Sequence, residues 1–293
     1  VHMINRQLHL GGNIGDRLPD GQVDLPRLRE GGVDAFMLTL YVMEQYYPAR
    51  YETRQTLRLV NMALDQLAQN AAVVELARNA DDIARINRAG KMAAVLDLEG
   101  SFDLEGDLDV LRALHRLGLR VVQLPAHNWS NEYADSCCAP ARWRGLTDHG
   151  RAVVRENAFH NRAQFEWLTK HAGKPFWDTS EVAANRARLS MSEIDRRLAP
   201  QFPMVEARAP EELLLSVDQW VDVVDRAIQI AGEDHVALGS DFDGGPTPPR
   251  GMRDARDLAM ITDAMLRRGY SEARIRKFLG GNLMRVFRQV TDR

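Results

Sequence analysis

Three short apolar segments of this chain each end in a residue that can bind a metal ion or transfer a proton. The segment at 92–99 ends in Glu99, the segment at 119–127 ends in His127, and the segment at 235–241 ends in Asp241. Short apolar runs of this kind indicate buried strands, and in parallel α/β folds the carboxyl ends of the strands form the edge where active sites lie. Glu, His and Asp are metal ligands and acid–base groups. The pattern therefore favours a parallel α/β fold and predicts a site that contains these three residues.

Each of these residues also has a plainer interpretation. The stretch Asp241-Phe-Asp-Gly244 could be an Asx turn, in which an aspartate binds only the local backbone. A carboxylate at a strand end is as often a helix cap or an ion-pair partner, and a lone histidine is more often a core residue than a ligand. Asp243, which precedes Gly244, suits the turn better, so Asp241 is the acid that a turn leaves unexplained.

Strand and helix patterns alternate along the chain, which is typical of a parallel sheet covered by helices. The predicted strands are 33–42, 92–99, 119–125 and 235–241, with a weaker candidate at 72–76. The predicted helices are 53–70, 108–117, 210–230, 254–268 and 271–289. The length of 293 residues suits an α/β barrel of roughly 250 residues. The eight strands of such a barrel are not all found, because residues 150–210 contain no convincing strand.

Charge and hydropathy exclude two classes of function. The net charge is −3, with 38 basic and 41 acidic residues mixed along the chain, which argues against a nucleic-acid partner. No apolar run approaches the roughly 18 residues that cross a bilayer, so no transmembrane segment is predicted. The sequence starts at Val1 without a signal pattern, and we expect further residues upstream of it. Localisation, cytoplasmic or exported, therefore stays open.

Several motifs, specific only when taken together, resemble those of one enzyme family. They are Val23–Val33, Leu98–Gly100, Gly118–Ser136, Gly145–Thr147 with Gly150–Arg155, Gly239–Gly244 and Gly280–Phe287. This set resembles the membrane dipeptidase (renal dipeptidase) family of zinc metallopeptidases, which have an amidohydrolase-like barrel. The resemblance implies a single (β/α)8 TIM-type barrel over residues 1–293, with two divalent metal ions, usually zinc in the family, at its C-terminal face. It also implies hydrolysis of dipeptides by a metal-activated water.

The same resemblance implies roles for individual residues. Glu99 matches the carboxylate that bridges the two metals, Asp241 matches the acid that transfers protons, and His127 matches the histidine that polarises the scissile carbonyl. His2 occupies the place of the aspartate in the family's metal-binding His-x-Asp pair. Near 156/157 the sequence is shorter than the family pattern, so we expect a segment with further ligands to belong there and the barrel to be incomplete without it.

The expected partner is a small dipeptide substrate, with a homodimer as the expected assembly. Two other functions stay open, because a fold does not determine a substrate. One is a non-catalytic relative that serves as a binding or scaffold protein. The other is an amidohydrolase that acts on another amide or on a lactone. Bound metal and chelator-sensitive hydrolysis distinguish the enzyme from the scaffold.

Overall fold

A computed structural model describes residues 1–19, 21–42, 51–100, 108–123, 190–198 and 210–291. These ranges contain four strands, which are β1 (Ala35–Tyr41), β2 (Val74–Leu76), β3 (Met92–Glu99) and β4 (Leu119–Gln123). They also contain ten α-helices, which are α1 (Met3–Leu10), α2 (Leu25–Glu30), α3 (Glu52–Gln69), α4 (Ala80–Arg88), α5 (Leu108–Leu117), α6 (Met191–Leu198), α7 (Val217–Ala231), α8 (Ala259–Arg267), α9 (Glu272–Arg276) and α10 (Asn282–Thr291). None of the helices in these ranges is both long and apolar enough to span a bilayer.

Strand β3 is the centre of a parallel sheet. Strand β1 pairs with it along its length, from Ala35 opposite Ala93 to Tyr41 opposite Glu99. Strands β2 and β4 both pair with the other edge of β3, β2 along residues 92–94 and β4 along residues 96–99. Because all these pairs are parallel, the carboxyl ends of the strands lie at one edge, and Glu99 is at that edge.

The first two residues continue the sheet beyond β1. The backbone nitrogen of Val1 donates to the carbonyl of Met37 at 3.0 Å, and the nitrogen of Thr39 donates to the carbonyl of Val1 at 3.0 Å. This is the hydrogen-bond pattern of a parallel pair. The nitrogen of His2 then donates to the carbonyl of Phe242 at 3.0 Å. Residues 1–2 therefore connect β1 to the loop that carries Asp241.

Both faces of β3 are buried, which explains its nearly continuous apolar sequence. Ala94, Leu96 and Leu98 belong to the main core, together with residues of α1, α3 and α5. Ala93 and Val95 point to the opposite face and belong to a smaller core with residues of α4 and α10. A separate apolar cluster joins α7, α8 and α9.

Four of the predicted strands are confirmed, with β4 described as far as Gln123, but the predicted strand at 235–241 is wrong. Among the described residues nothing pairs with it as a ladder. Instead, the nitrogen of Leu238 donates to the carbonyl of Phe278 at 3.0 Å, and Nδ2 of Asn282 donates to the carbonyl of Val236 at 2.8 Å. The backbone of this segment is therefore bound by the C-terminal helical region rather than by a neighbouring strand.

The helices at 53–70 and 108–117 are confirmed, whereas the helix predicted at 210–230 starts later. Residues 211–213 form only a 3₁₀ turn. Ser216 and Gln219 form a capping box, with Ser216 Oγ accepting from the nitrogen of Gln219 at 3.1 Å and Gln219 Oε1 accepting from the nitrogen of Ser216 at 2.9 Å. These two bonds satisfy the free N–H groups at the start of α7 and fix that start at Val217.

The last two predicted helices are present but subdivided. The helix predicted at 254–268 begins as a 3₁₀ turn, Ala255–Leu258, and continues as α8. Ser271 caps α9 as predicted, since its side chain accepts from the nitrogen of Arg274. A π turn at Lys277–Gly281, with a non-helical backbone at Gly280, then separates α9 from α10. Because the helical periodicity continues on both sides of this turn, the sequence pattern does not indicate the break.

We predict that Leu96→Ala lowers the free energy of unfolding by about 2–5 kcal/mol, because it leaves a cavity beside a side chain that is fully buried in the central strand. Equilibrium denaturation with urea measures the change. Leu266→Ala is the matched control, since Leu266 lies on α8 and is 54% exposed, and this change should stay within about 0.5 kcal/mol. Equal losses in the two variants would mean that β3 is not the core of the fold.

Candidate metal centre

Three of the residues predicted from the sequence meet at the carboxyl edge of the sheet. His2, Glu99 and Asp241 each offer a ligand atom, and these atoms all lie within 4.8 Å of one another. Nε2 of His2 is 2.8 Å from Oδ1 of Asp241 and 3.2 Å from Oε2 of Glu99. The side chains of His2 and Glu99 are 6% and 10% exposed, whereas that of Asp241 is 46% exposed. The cluster is therefore open to solvent on the Asp241 side.

The backbone of the 241–244 turn brings Asp241 to this position. Asp241 and Asp243 have φ values of 50° and 60°, in the left-handed region that few non-glycine residues adopt. The nitrogen of Gly244 donates to the carbonyl of Asp241 at 3.0 Å and closes the turn. A Cβ atom at Gly244 would lie 2.1 Å from Oδ1 of Asp241 and 2.6 Å from Cδ2 of His2. Only glycine allows this turn to pass so close to the two side chains.

The surroundings of the cluster are partly apolar and carry one more acid. The Tyr41 ring meets the His2 ring edge-on, with 6.4 Å between their centroids. Asp97 lies two residues before Glu99 and so on the same face of β3, and its Oδ2 accepts from Thr39 Oγ1 at 3.1 Å. Burial raises the pKa of Asp97 above its ordinary value, against the opposing effect of the Thr39 hydrogen bond. The edge of the sheet therefore concentrates negative charge.

His2 lies between the two carboxylates and responds to their charge. Burial alone would lower the pKa of His2, but the hydrogen bond to Asp241 and the attraction of Asp241 and Glu99 outweigh it, so the pKa is raised above its ordinary value. The two carboxylates therefore favour positive charge at this position.

The donor set fits a divalent metal ion. Ligand atoms bound to zinc at roughly 2.1 Å in tetrahedral geometry lie about 3.4 Å from each other. The His2 to Asp241 and His2 to Glu99 distances, 2.8 and 3.2 Å, are already close to that spacing. One imidazole nitrogen and two carboxylates are ligands that zinc accepts. The ion would need His2 in its neutral form, because only a free lone pair on nitrogen can bind it.

The structure describes only some of the residues that the sequence predicted, and it adds others. His127 and the 156/157 junction lie outside the described residues. Asp243 does belong to the turn, and its Oδ1 accepts from the nitrogen of Gln22 at 2.6 Å. Sequence reasoning missed both Gln22 and Asp97 as neighbours of the site. A signal existed for Asp97, which shares a strand face with Glu99, but no local pattern pointed to Gln22.

Comparison with known proteins shows similarity over almost the whole chain. The family profile described as "Membrane dipeptidase (Peptidase family M19)" matches residues 5–162 and 188–293. The chain is 31% identical to dipeptidase tcpJ of Claviceps purpurea, over 93% of this chain and 70% of that protein. It is 30% identical to dipeptidase ataJ of Aspergillus terreus, over 94% and 78% of the two chains.

A solved structure extends this similarity to three dimensions. It is a metallopeptidase from Rhodobacter sphaeroides, crystallised with a phosphinate mimic of the dipeptide L-Ala-D-Ala. The two chains superpose with a TM-score of 0.64 at 22% identity, over 99% of this chain and 97% of that one. At this identity the structural similarity is evidence for the fold, and it confirms the predicted TIM-type α/β barrel.

We predict that Glu99→Gln removes bound metal while leaving the metal-free fold nearly unchanged. The amide keeps the shape of the side chain and removes one of the negative charges that compete for His2, so the free energy of unfolding of the metal-free protein should change by no more than about 1 kcal/mol. Elemental analysis after zinc dialysis and thermal unfolding measure the two effects. Glu75→Gln is the control, since Glu75 pairs with Arg85 at the surface. If Glu99→Gln unfolds under conditions in which the metal-stripped parent stays folded, Glu99 is a structural residue.

Proposed function

This chain belongs to the membrane dipeptidase family of metallopeptidases, and from this premise we propose that it hydrolyses dipeptides at the cluster of His2, Glu99 and Asp241. One observation supports this location above the others. Two acids and an imidazole, separated by up to 239 positions in the sequence, bring one ligand atom each within 4.8 Å at the carboxyl edge of a parallel sheet. That edge is where the active sites of α/β barrels lie.

We further propose that the chain binds two divalent ions and that they are zinc. A carboxylate has two oxygens and can therefore bind two cations, which is the role we assign to Glu99 at the rigid end of β3. When bound, the ions would supply an activated water and polarise the carbonyl of the peptide bond. His2 contributes nitrogen where the family has a carboxylate. Nitrogen ligands suit zinc better than magnesium or calcium, which prefer oxygen.

We assign the proton transfers to Asp241. Its side chain is nearly half exposed and within hydrogen-bond distance of His2, so a substrate can reach it while it stays next to the metal ligands. A carboxylate in this position can take a proton from the attacking water and deliver it to the departing amine. By its match to the family, His127 would stabilise the oxyanion. Only the sequence match supports this role.

Removal of the metal is expected to abolish dipeptide hydrolysis. Dialysis against a chelator should reduce turnover to background, and zinc should restore it as two equivalents rebind per chain, measured by elemental analysis with an assay of released amino acids. The bound ions would activate the water that attacks the peptide carbonyl, so hydrolysis should stop without them. A protein that binds no zinc and hydrolyses no member of a dipeptide library would instead be a binding or scaffold relative.

Asp241→Asn is expected to keep most of the bound metal and to lose turnover. A positioned acid–base group contributes about 10² to 10⁴ in rate, and the loss should appear in kcat rather than in KM. Asp243→Asn is the control, because asparagine keeps an oxygen that can accept from the nitrogen of Gln22, and its effect should be milder. The proton-transfer role would be refuted by near-parental kcat in Asp241→Asn at full zinc occupancy.

A further inference from the structure

Gln22 makes three hydrogen bonds to the loop that follows Asp241 and a fourth to Ala255. Its backbone nitrogen donates to Oδ1 of Asp243 at 2.6 Å, and its Oε1 accepts from the nitrogen of Asp243 at 3.0 Å. Its Nε2 donates to the carbonyl of Pro246 at 3.0 Å, and its own carbonyl accepts from the nitrogen of Ala255 at 3.0 Å. Gln22 is only 8% exposed, so these bonds are shielded from water. A buried glutamine with three bonds to one distant loop constrains that loop strongly.

The bonds act on a part of the loop that is strained. Asp243 has a left-handed φ of 60°, and Gln22 binds both its nitrogen and its carboxylate. Such a conformation persists only where the surroundings impose it. The approach is also close, since a Cβ atom on Gly21 would lie 3.3 Å from either carboxylate oxygen of Asp243. Gln22 therefore supports the conformation that turns the chain immediately after Asp241.

The position of Gln22 is fixed by helix α2, which follows it in the sequence. The side chain of Asp24 accepts from the nitrogen of Arg27 and caps this helix. Arg27 Nε lies 3.5 Å from Oδ2 of Asp254, and a Cβ atom on Gly31 would lie 2.0 Å from the carbonyl oxygen of Ala255. Helix α2 is thus packed tightly against residues 254–255. The position of Gln22 is set by this contact and not by the site.

We propose that Gln22 is a positioning residue that aims the carboxylate of Asp241 at the metal centre. The carboxylate of Asp241 is bonded directly to His2, and its carbonyl accepts from Gly244 in the 241–244 turn. Two more hydrogen bonds hold the residues that follow it: the nitrogen of His2 donates to the carbonyl of Phe242, and Oε1 of Gln22 accepts from the nitrogen of Asp243. This inference rests on the proposed function for its kinetic consequence, but its structural part does not depend on catalysis.

The test compares Gln22→Met with Gln66→Met in the full-length, zinc-loaded protein. Gln66 is a matched control, because it is 5% exposed and its Oε1 accepts from the nitrogen of Ile14 at 2.9 Å, near the end of α3 and away from the cluster. Gln22→Met should lower kcat about 10- to 100-fold at unchanged KM and zinc content, since a displaced acid reduces rate without weakening ligand binding. Gln66→Met should lower the melting temperature but keep kcat.

A double variant shows whether Gln22 acts through Asp241. In the Asp241→Asn background, Gln22→Met should change kcat by no more than about twofold, because effects that pass through one group are not additive. A full further loss of 10-fold or more would overturn the proposal. If Gln22→Met does not fold, Gln22→Glu takes its place, since it keeps an acceptor for the Asp243 nitrogen, loses the donor to Pro246 and adds a negative charge beside the loop.

Hydrogen exchange provides a readout that needs no substrate. Amides in residues 239–246 should exchange faster in Gln22→Met than in parent, and at the parental rate in Gln66→Met. Unchanged exchange together with unchanged kcat would overturn the proposal. Faster exchange in a protein whose parent hydrolyses no dipeptide would instead disprove the proposed function and leave the positioning role of Gln22 standing.

Discussion

The rest of the structure depends on the pairing of strand β3. Both of its edges are bound by other strands and both of its faces are buried, so its last residue has little freedom to move. Glu99 is that residue, and it is consequently the fixed point of the metal centre. The other two members of the cluster arrive by different routes. His2 is brought by the backbone pairing of Val1 with β1, and Asp241 is brought by a loop that His2 binds at the carbonyl of Phe242.

This arrangement concentrates acids where folding alone would not. Glu99 and Asp241 share one imidazole, and Asp97 lies on the same strand face as Glu99 with its pKa raised by burial. Like charges brought together in a poorly solvated place cost stability, and natural proteins accept such a cost mainly at functional sites. The two carboxylates raise the pKa of His2 and so favour its protonated form, which would offset part of this cost. A divalent cation would offset more of it and would use the same side chains as ligands.

Rigidity and access are divided between the two acids. Glu99 is buried at the end of a fully paired strand, which suits a ligand that must hold its geometry. Asp241 is nearly half exposed and lies outside the sheet, which suits a group that must meet substrate and exchange protons with it. Exposure alone would leave Asp241 free to adopt many orientations. The buried hydrogen bonds of Gln22 to Asp243 and of His2 to Phe242 limit that freedom by holding the two residues that follow Asp241, without covering its carboxylate.

The sequence by itself determined strands β1 to β4, helices α3 and α5, and the placement of Glu99 at a strand end, because apolar runs and helical periodicity are local. It also determined the family, through motifs spread along the chain. The tertiary structure alone decided that residues 235–241 pair with no strand of the described part of the chain, since a strand exists only where a neighbour accepts and donates its backbone bonds. It alone decided that His2 reaches both acids and that Gln22 binds Asp243 across 221 residues of sequence. Contacts between such distant residues leave no periodic trace in a single sequence, because only the packing of the whole chain brings them together.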